Sequence, residues 1–344
     1  MARSVEPRDS GHDAPVRAHP VLDVLAARRT EGSCPQTRTD PHRVVLAVEG
    51  GGSRATYSSG MVLALEELGL AECFDAVYGA SAGALAGSWL VGAQAAHCCA
   101  GWYRPGLMER VTKPGRGLRG QPVVDVEYLI HTVGETIIPV DWHAVIDAPV
   151  SLHPVATDVE TGEAVDLADT IVDKASLQRA LRASAAVPLL AGLPVEIDGR
   201  RYVDAAVAEP IPFRTALDQG ATHVLVLRTR RADQTAIDAT RLEKALVSRL
   251  GTVNVPGLVH VVGNRLENRR GDDRRLAHAT ASPTDEPPHL LEIRPPAGAD
   301  TINPLETDPD VLRRGIETGQ RALRQALEFD GDGRGERDAE LTSA

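Results

Sequence analysis

The segment Gly79-Ala80-Ser81-Ala82-Gly83 follows a short apolar run, Phe74–Tyr78, and precedes a helix-like stretch, Ala84–Ala95. A G-x-S-x-G pattern between a strand and a helix is typical of a nucleophile elbow, the tight turn that presents a serine hydroxyl at the mouth of an α/β sheet. The two glycines supply the small residues that this turn needs on either side of Ser81. The same pattern also fits an ordinary strand-to-helix turn, so the interpretation depends on the rest of the chain.

A second glycine-rich loop, Glu49-Gly50-Gly51-Gly52-Ser53-Arg54, lies upstream. It follows Val44–Val48, an apolar run that predicts a buried parallel strand, and it precedes a predicted helix, Tyr57–Leu68. Glycines let backbone N–H groups face an anion, either a phosphate or a transient oxyanion. The loop lacks the endings and spacings of nucleotide-binding loops, which disfavours a nucleotide ligand. The strand-helix-strand order places this loop and Ser81 at the carboxyl ends of neighbouring strands, where open α/β sheets carry their sites.

A carboxylate stands apart further downstream. Within Tyr202-Val203-Asp204-Ala205-Ala206-Val207, Asp204 is the only acidic residue between Asp198 and Glu209. An isolated aspartate in a turn commonly caps a nearby backbone N–H group. Asp204 is therefore a candidate catalytic base only in combination with the two glycine-containing motifs.

Taken in this order, the three features resemble the patatin-like phospholipase family over roughly Arg43–Glu328. The family's oxyanion, nucleophile and aspartate motifs correspond in turn to Glu49–Ala55, Gly79–Gly83 and Asp204–Ala206. Intervening stretches that are also similar are Ala156–Gly162, Ala183–Pro188 and Ile197–Gly199. Two positions depart from the pattern, since Ala55 and Ala205 stand where the family has glycine, and alanine disfavours a positive φ.

The resemblance implies a central, mostly parallel sheet with helices on both faces and a Ser–Asp dyad that cleaves lipid carboxylic esters. Ser81 would form an acyl-enzyme, and Asp204 would accept its proton and later activate water. Arg54 is expected either to bind an anionic head group or to brace its loop, and neither a metal nor another cofactor is expected. The expected donors of the oxyanion hole are the N–H groups of Gly51 and Gly52, with Gly50 and Ser53 as further candidates.

Composition narrows the class of protein further. The chain has 344 residues and a formal net charge of −11, which argues against nucleic acid as a main partner. It contains neither an apolar run of membrane-spanning length nor a visible secretory signal. Its four cysteines form no C-x-x-C pair, which favours reduced thiols and a cytoplasmic location. The oligomeric state is not predicted.

The organisation along the chain is simple. We expect a disordered leader at 1–42 with a possible short helix at Pro20–Arg29, an acyl hydrolase domain at 43–328, and a disordered acidic tail at 329–344. The basic, turn-rich segment Trp102–Gly120 is either a lid that meets anionic lipid transiently or a solvated loop. Further predicted elements are strands at Val150–Ala156, His223–Leu227 and Leu290–Ile293, helices at Ser176–Ala183 and Pro309–Phe329, and a charged helix face or loop at Asn264–Arg275.

Two alternatives remain open at this point. The first is a histidine-dependent α/β-hydrolase, because four histidines follow Asp204 in the chain order that this class uses, namely His223, His260, His278 and His289. The second is a non-catalytic protein that binds lipids or acyl groups, in which Ala55 and Ala205 have removed turnover. Labelling of Ser81 by a serine-reactive fluorophosphonate would separate the non-catalytic alternative from the two hydrolases. The most useful single observation is a structure that shows which side chain lies within hydrogen-bond reach of Ser81.

Overall fold

The computed structural model describes residues 19–188, 190–234 and 256–327, and for residues 256–264 it describes the backbone alone. In this part of the chain eight strands form one mixed sheet, in the order β5-β6-β3-β2-β1-β7-β8, with β4 paired to β3 beside this path. The strands are β1 Val44–Val48, β2 Ala76–Ala80, β3 Ser151–Asp158, β4 Ala164–Asp166, β5 Val195–Ile197, β6 Arg200–Asp204, β7 His223–Leu227 and β8 His289–Ile293.

The centre of the sheet is parallel. Strands β3, β2, β1, β7 and β8 all run in the same direction. Every residue of β1 is fully buried, as a parallel strand covered on both faces requires. Val48 is aligned with Gly79 of β2 and with Leu227 of β7, so these three strands end together. The loops that follow them therefore leave the sheet at one edge.

Helices cover both faces of the sheet. They are α1 Pro20–Glu31, α2 Thr56–Glu67, α3 Ala82–Val91, α4 Ala95–Cys99, α5 Leu107–Val111, α6 Trp142–Ile146, α7 Lys174–Ser184, α8 Phe213–Asp218, α9 Pro256–Ala281 and α10 Pro309–Ala326, with a π-helix at Tyr128–Ile137. Leu46 of β1 joins a core that contains Met61 of α2, whereas Val45 joins a second core that contains Phe213 of α8. The predicted central, mostly parallel sheet with helices on both faces is thus confirmed.

The antiparallel strand β6 brings the carboxylate of Asp204 to the same edge of the sheet as Ser81. Val155 of β3 lies opposite Ala80 of β2, and the next residue, Ala156, lies opposite Asp204 at the end of β6. Since Ser81 directly follows Ala80, the register alone makes Asp204 level with Ser81.

The predicted elements compare closely with those observed. The predicted bounds of β1 and β7 match the observed ones, and Asn264–Arg275 lies within α9. Helix α7 begins two residues before the predicted Ser176. Its cap is Asp173, whose side chain accepts from Ser176 N at 2.8 Å, so Ser176 completes a capping box instead of starting the helix.

The expected leader needs correction for residues 19–42. The possible helix at Pro20–Arg29 is confirmed as α1, in which Val21 and Leu25 are fully buried. Arg28 is also buried and forms ion pairs with Asp40 and Asp75. These partners become available only when the chain folds, so composition alone does not reveal this segment as ordered. Residues 1–18 and the expected tail at 329–344 lie outside the described residues.

Two expectations concern membranes and thiols. No helix in the described part of the chain combines the length and hydrophobicity that a membrane span needs. Cys34, Cys73, Cys98 and Cys99 are all free. Burial raises the pKa of the Cys98 thiol to about 12, so this side chain behaves as a small apolar group.

Candidate active site

Ser81 occupies a sharp turn between β2 and α3. Its backbone angles are φ 55° and ψ −127°, in a region that residues with side chains rarely adopt. A Cβ on Gly79 would lie 2.3 Å from Ala84 Cα, and a Cβ on Gly83 would lie 2.3 Å from Val48 O. Both positions therefore need glycine because β2, α3 and the end of β1 approach one another too closely for a side chain.

The side chain of Ser81 is hydrogen bonded to Asp204. Ser81 Oγ donates to Asp204 Oδ2 at 2.6 Å, and both residues are buried. Asp204 Oδ1 accepts from Ala206 N at 2.7 Å, and Thr157 Oγ1 donates to the carbonyl of Asp204 at 2.9 Å. Ala206 N therefore holds one carboxylate oxygen and Thr157 holds the backbone of Asp204, while the other carboxylate oxygen faces the serine.

Burial also affects the basicity of Asp204. It raises the pKa of Asp204 to about 6, although the hydrogen bonds from Ser81 and from Ala206 N act in the opposite direction. A carboxylate with this pKa is ionised at neutral pH and is a stronger base than a solvated aspartate. The site thus pairs a serine hydroxyl with an acceptor of raised basicity.

Ser184, at the end of α7, fixes the backbone of the turn. Ser184 Oγ accepts from Ser81 N at 2.9 Å and donates to Val155 O at 2.5 Å. It thereby links the elbow to β3, the strand that also aligns Asp204. Ser184 is not among the site residues predicted from the sequence, because a serine among alanines and near a proline does not by itself indicate a functional role.

The glycine loop contributes two unengaged donors. In the described part of the chain no acceptor is present for Gly51 N or Gly52 N. Gly52 has φ 59°, and a Cβ there would lie 2.4 Å from Pro304 O, so both its conformation and its surroundings require glycine. A Cβ on Gly50 would lie 2.9 Å from Ser81 Cβ, which shows how closely the loop packs against the nucleophile.

Two of the expected oxyanion donors need correction. Gly50 N donates to Pro210 O at 3.2 Å, and Ser53 N donates to Pro304 O at 2.9 Å. Ser53 Oγ donates to Glu306 O at 2.8 Å. These N–H groups hold the two ends of the loop in place, so Gly50 and Ser53 do not offer free donors to a substrate.

The first turn of α3 supplies a further donor that the sequence analysis missed. Among the described residues no acceptor is present for Ala82 N, the N–H directly after the nucleophile. The first N–H groups of any helix lack intrahelical partners, and the helix dipole favours negative charge beside them. The G-x-S-x-G pattern carries this signal, since the residue after the elbow serine commonly contributes to the oxyanion hole.

A buried cluster of charged side chains holds the start of the glycine loop. Glu49 and Arg228 are both fully buried, and Arg228 Nε lies 3.0 Å from Glu49 Oε2. Thr229 N donates to the same oxygen at 2.7 Å, while Thr229 Oγ1 donates to Gly50 O at 2.9 Å. Burial raises the pKa of Glu49, but Arg228 and Arg269 outweigh that effect and lower it to about 2. Glu49 is therefore an ionised anchor that the sequence analysis treats only as part of a motif.

Arg54 and the two alanine departures are compatible with an intact loop. Arg54 is half-buried, and its Nε lies 3.3 Å from the position that a Cβ on Gly51 would occupy. This placement favours bracing of the loop, and a contact of Arg54 with substrate stays a prediction. Ala55 has helical angles of φ −65° and ψ −4°, and Ala205 does not have a positive φ. Neither alanine strains the backbone, which removes the reason for expecting lost turnover.

The histidines lie away from Ser81 wherever the structure describes their side chains. His223 and His289 begin β7 and β8 at the opposite edge of the sheet, and burial lowers the pKa of His223 to about 4. His278 is exposed on α9, and the side chain of His260 lies outside the described residues. In the same described part, no group of three or more His, Cys, Asp or Glu side chains is arranged to hold a metal ion.

Comparison with protein families identifies the class. A model of the patatin-like phospholipase family matches residues 46–217, which is half of the chain, and the chain belongs to this family. The matched range contains Ser81, Asp204 and the whole glycine loop.

Curated relatives share a moderate identity. The chain is 30% identical to the uncharacterized protein YjjU of Escherichia coli K12 over 200 residues, which cover 55% of this chain and 52% of that protein. It is also 30% identical to the uncharacterized NTE family protein Rv1063c of Mycobacterium tuberculosis H37Rv over 193 residues, 55% of this chain and 48% of that protein. The match thus spans about half the length of these curated relatives.

Solved structures are less similar to this chain in sequence than the curated relatives are. VipD from Legionella pneumophila has a TM-score of 0.43 and 14% identity, covering 84% of this chain and 67% of that one. Human GIVD cytosolic phospholipase A2 has a TM-score of 0.39 and 13% identity, covering 89% of this chain and 64% of that one.

Proposed function

We propose that this protein is a serine acyl hydrolase that cleaves lipid carboxylic esters, with activity of the phospholipase A or lysophospholipase type, through an acyl-enzyme on Ser81. The observation that carries the proposal is the 2.6 Å hydrogen bond from Ser81 Oγ to Asp204 Oδ2 at a strained strand-to-helix turn. Membership of the patatin-like phospholipase family supports lipid esters as the substrate class.

Acylation follows from this geometry. Ser81 Oγ attacks the ester carbonyl carbon while its proton passes to Asp204 Oδ2, and a tetrahedral oxyanion forms. The N–H groups of Gly51 and Gly52 are the donors proposed for that oxyanion, with Ala82 N beside them at the start of α3. Collapse of the intermediate breaks the bond to the leaving alcohol, which takes the proton from Asp204.

Deacylation reverses the roles. Asp204 accepts a proton from a water molecule that attacks the acyl-enzyme, and Ser81 recovers its proton as the fatty acid leaves. Because Asp204 Oδ1 is occupied by Ala206 N, the same oxygen, Oδ2, serves both steps. One carboxylate oxygen therefore acts as base toward serine and then toward water.

An apolar cavity is the proposed site for the acyl chain. It is lined by Leu85 and Trp89 of α3, Met108 of α5 and Trp142 of α6, among other apolar residues. Leu85 N lies 3.4 Å from Ser81 O, so this wall of the cavity begins one helical turn from the nucleophile. Apolar walls favour a hydrocarbon chain over a charged head group.

Fatty acid release from defined esters tests the proposal. Purified full-length protein is incubated with phosphatidylcholine vesicles, lysophosphatidylcholine and a triacylglycerol emulsion, and the products are measured by mass spectrometry. We expect release from at least one of these esters, its loss in Ser81→Ala, and its retention in Ser282→Ala, which removes an exposed serine on another surface. Folded wild type that releases no fatty acid, or Ser81→Ala that matches wild type, contradicts the proposal.

The dependence of hydrolysis on the length of the acyl chain tests whether the cavity holds that chain. Met108→Trp adds bulk inside the cavity, and we expect it to lower hydrolysis of long-chain esters more than that of butyryl esters. Leu118→Trp is the matched control, because Leu118 is 94% exposed and the same indole there fills no cavity. An unchanged chain-length profile in folded Met108→Trp excludes the cavity as the acyl site.

The compartment stays a prediction. Four free cysteines, two of them adjacent and buried, favour a reducing environment such as the cytoplasm.

A further inference from the structure

A second serine forms a hydrogen bond with a histidine, at the edge of the sheet opposite Ser81. Ser151 and His153 are alternate residues of β3, so their side chains lie on the same face of the strand. Ser151 Oγ and His153 Nε2 are 2.8 Å apart, and Ser151 is exposed. This is the contact that a nucleophile and its general base require.

A carboxylate orients the histidine. His153 Nδ1 lies 2.6 Å from Asp166 Oδ2, on the neighbouring strand β4. Asp166 is held in turn by Ala168 N at 3.0 Å and by Gln219 Nε2 at 2.9 Å. An ionised carboxylate can only accept, so Nδ1 carries a proton. In the neutral ring Nε2 is then the acceptor to which the Ser151 hydroxyl donates.

The imidazole ring is also packed in place. Tyr78 stacks on His153 with ring centroids 4.4 Å apart and an interplanar angle of 24°. Tyr78 OH donates to Gln219 Oε1 at 2.6 Å and accepts from Arg43 Nη2 at 3.1 Å. The base and its carboxylate are therefore braced by one connected set of side chains, as a preorganised site requires.

This constellation is separate from the site at Ser81. Ser151 lies opposite Ala76, the first residue of β2, whereas Ser81 follows Ala80, the last residue of the same strand. Five residues of β-strand, at about 3.3 Å each, put the two serines about 16 Å apart along the sheet. Neither Ser151 nor His153 can reach the substrate carbonyl bound at Ser81.

We propose that Ser151, His153 and Asp166 form a second nucleophilic site, of the Ser-His-Asp type, that takes acyl groups from small carboxylic esters with a good leaving group, such as aryl acetates. Triads of this kind are recognised by geometry and roles, not by order in the chain. Ser151 N donates to Asp75 O at 3.5 Å, so it is not directed at an oxyanion. The reaction therefore depends on an activated ester.

The chemistry balances without a cofactor. Ser151 Oγ forms a bond to the carbonyl carbon as its proton passes to His153 Nε2, and the bond to the aryloxide breaks as the phenol takes that proton. Water then attacks the acyl-serine carbonyl and gives a proton to the same nitrogen. The bond between Ser151 Oγ and the acyl carbon breaks as Oγ takes that proton, and the carboxylic acid leaves. Asp166 stays ionised throughout and stabilises the protonated imidazole.

A fluorophosphonate tests the proposal on the full-length chain. This reagent forms an Oγ–P bond with an activated serine as fluoride leaves, and peptide mapping assigns each modified serine. In wild type we expect labelling at Ser151 as well as at Ser81, with Ser151 labelled much faster than the exposed Ser282 in the same molecules. His153→Gln and Asp166→Asn should slow Ser151 labelling at least about tenfold and leave Ser81 labelling unchanged.

Hydrolysis of p-nitrophenyl acetate provides a second readout. Activity that remains in Ser81→Ala should fall at least about tenfold when Ser151→Ala is added, with the fold of each variant checked by circular dichroism. Labelling of Ser151 no faster than that of Ser282, or labelling unaffected by His153→Gln, overturns the proposal. The experiment is independent of the proposed function, because loss of labelling at Ser81 alone leaves the result at Ser151 intact.

Discussion

Ser81 is constrained by two distant parts of the chain. Its strained backbone is held by Ser184 from α7, and its hydroxyl is held by Asp204 from β6. Strain of this kind persists only where the surrounding structure fixes it more than once. The side chain is therefore held in one orientation, which is the preorganisation that the proposed nucleophile requires.

The raised pKa of Asp204 predicts the pH dependence of hydrolysis. Asp204 accepts a proton only as a carboxylate, and its pKa of about 6 lies above that of a solvated aspartate. We expect kcat/KM for a lipid ester to rise with pH through a midpoint near about 6 and to level off above it.

Acid unfolding is the main confounding effect in that measurement. Burial lowers the pKa of His19, His223 and His289, so these histidines favour unfolding once the pH falls through the ordinary histidine range. Tryptophan fluorescence at each pH separates the two effects. A flat kcat/KM down to pH ~4.5 in folded protein disagrees with Asp204 as the base.

Gly52 gives the second prediction at this scale. A side chain there meets Pro304 O and disfavours the observed φ of 59°. We expect Gly52→Val to lower kcat by about 10²–10³, the usual effect of losing an oxyanion donor, while the fold survives. Gly298→Val is the control, since Gly298 also has a positive φ but open space around it. Near-normal turnover in folded Gly52→Val removes the loop from the mechanism.

Between elements, the ends of β1, β7 and β8 are joined by one buried arginine. Arg228 follows β7 and forms ion pairs with Glu49 after β1, with Glu292 of β8 and with Asp273 of α9. The glycine loop begins directly after Glu49. The position of the glycine loop thus depends on the charge of Arg228, which is distant from the loop in the sequence.

Removing that arginine takes away the buried cation that Glu49, Glu292 and Asp273 share. We expect Arg228→Met to lower the free energy of unfolding by about 3–5 kcal/mol, as measured by urea denaturation. The control is Arg201→Met, which breaks an exposed ion pair with Glu160 and should change the free energy of unfolding little. Equal effects of the two substitutions would show that the buried cluster does not anchor the loop.

The sequence predicts some elements better than others for physical reasons. Strands β1 and β7 are predicted to their observed bounds, because a parallel strand buried on both faces is a continuous apolar run. Helix α1 is only a possible helix from sequence, because the burial of Arg28 depends on acidic partners from other parts of the chain.

The residues of the candidate site also differ in how well the sequence predicts them. Ser81, Asp204 and the glycine loop follow from ordered motifs, whereas Ser184 is 103 residues from its partner Ser81 and Arg228 is 179 residues from Glu49. Which N–H groups are free is also invisible in the sequence, since the carbonyls that occupy Gly50 N and Ser53 N come from distant loops.

At the scale of the whole molecule, charge is distributed unevenly. The chain carries a net charge of −11, yet the segment Trp102–Gly120 is basic. Arg104, Arg110, Lys113 and Arg119 are all exposed there, beside Leu118, which is 94% exposed. This surface suits transient contact with anionic lipid, while the overall charge opposes tight adsorption.

Binding to lipid vesicles tests whether this basic segment makes an electrostatic contact with anionic lipid. We expect weak binding to phosphatidylglycerol vesicles in a flotation assay at low salt and its loss at about 1 M salt, where screening acts within about 3 Å. Lys113→Glu should weaken binding, whereas Arg274→Glu, at an exposed position of α9, should have little effect. Tight binding that persists at high salt contradicts electrostatic contact and indicates apolar insertion.

The central claim is that Ser81 and Asp204 act as one unit, and steady-state kinetics of Ser81→Ala, Asp204→Asn and the double variant test it most directly. A long-chain lipid ester is the substrate, and folded His223→Gln and His278→Gln are the controls. Each single variant should lower kcat/KM by about 10³–10⁶, and the double variant should be hardly worse, because groups that act together are non-additive. The account is contradicted if Asp204→Asn keeps wild-type kcat/KM while either histidine variant loses it.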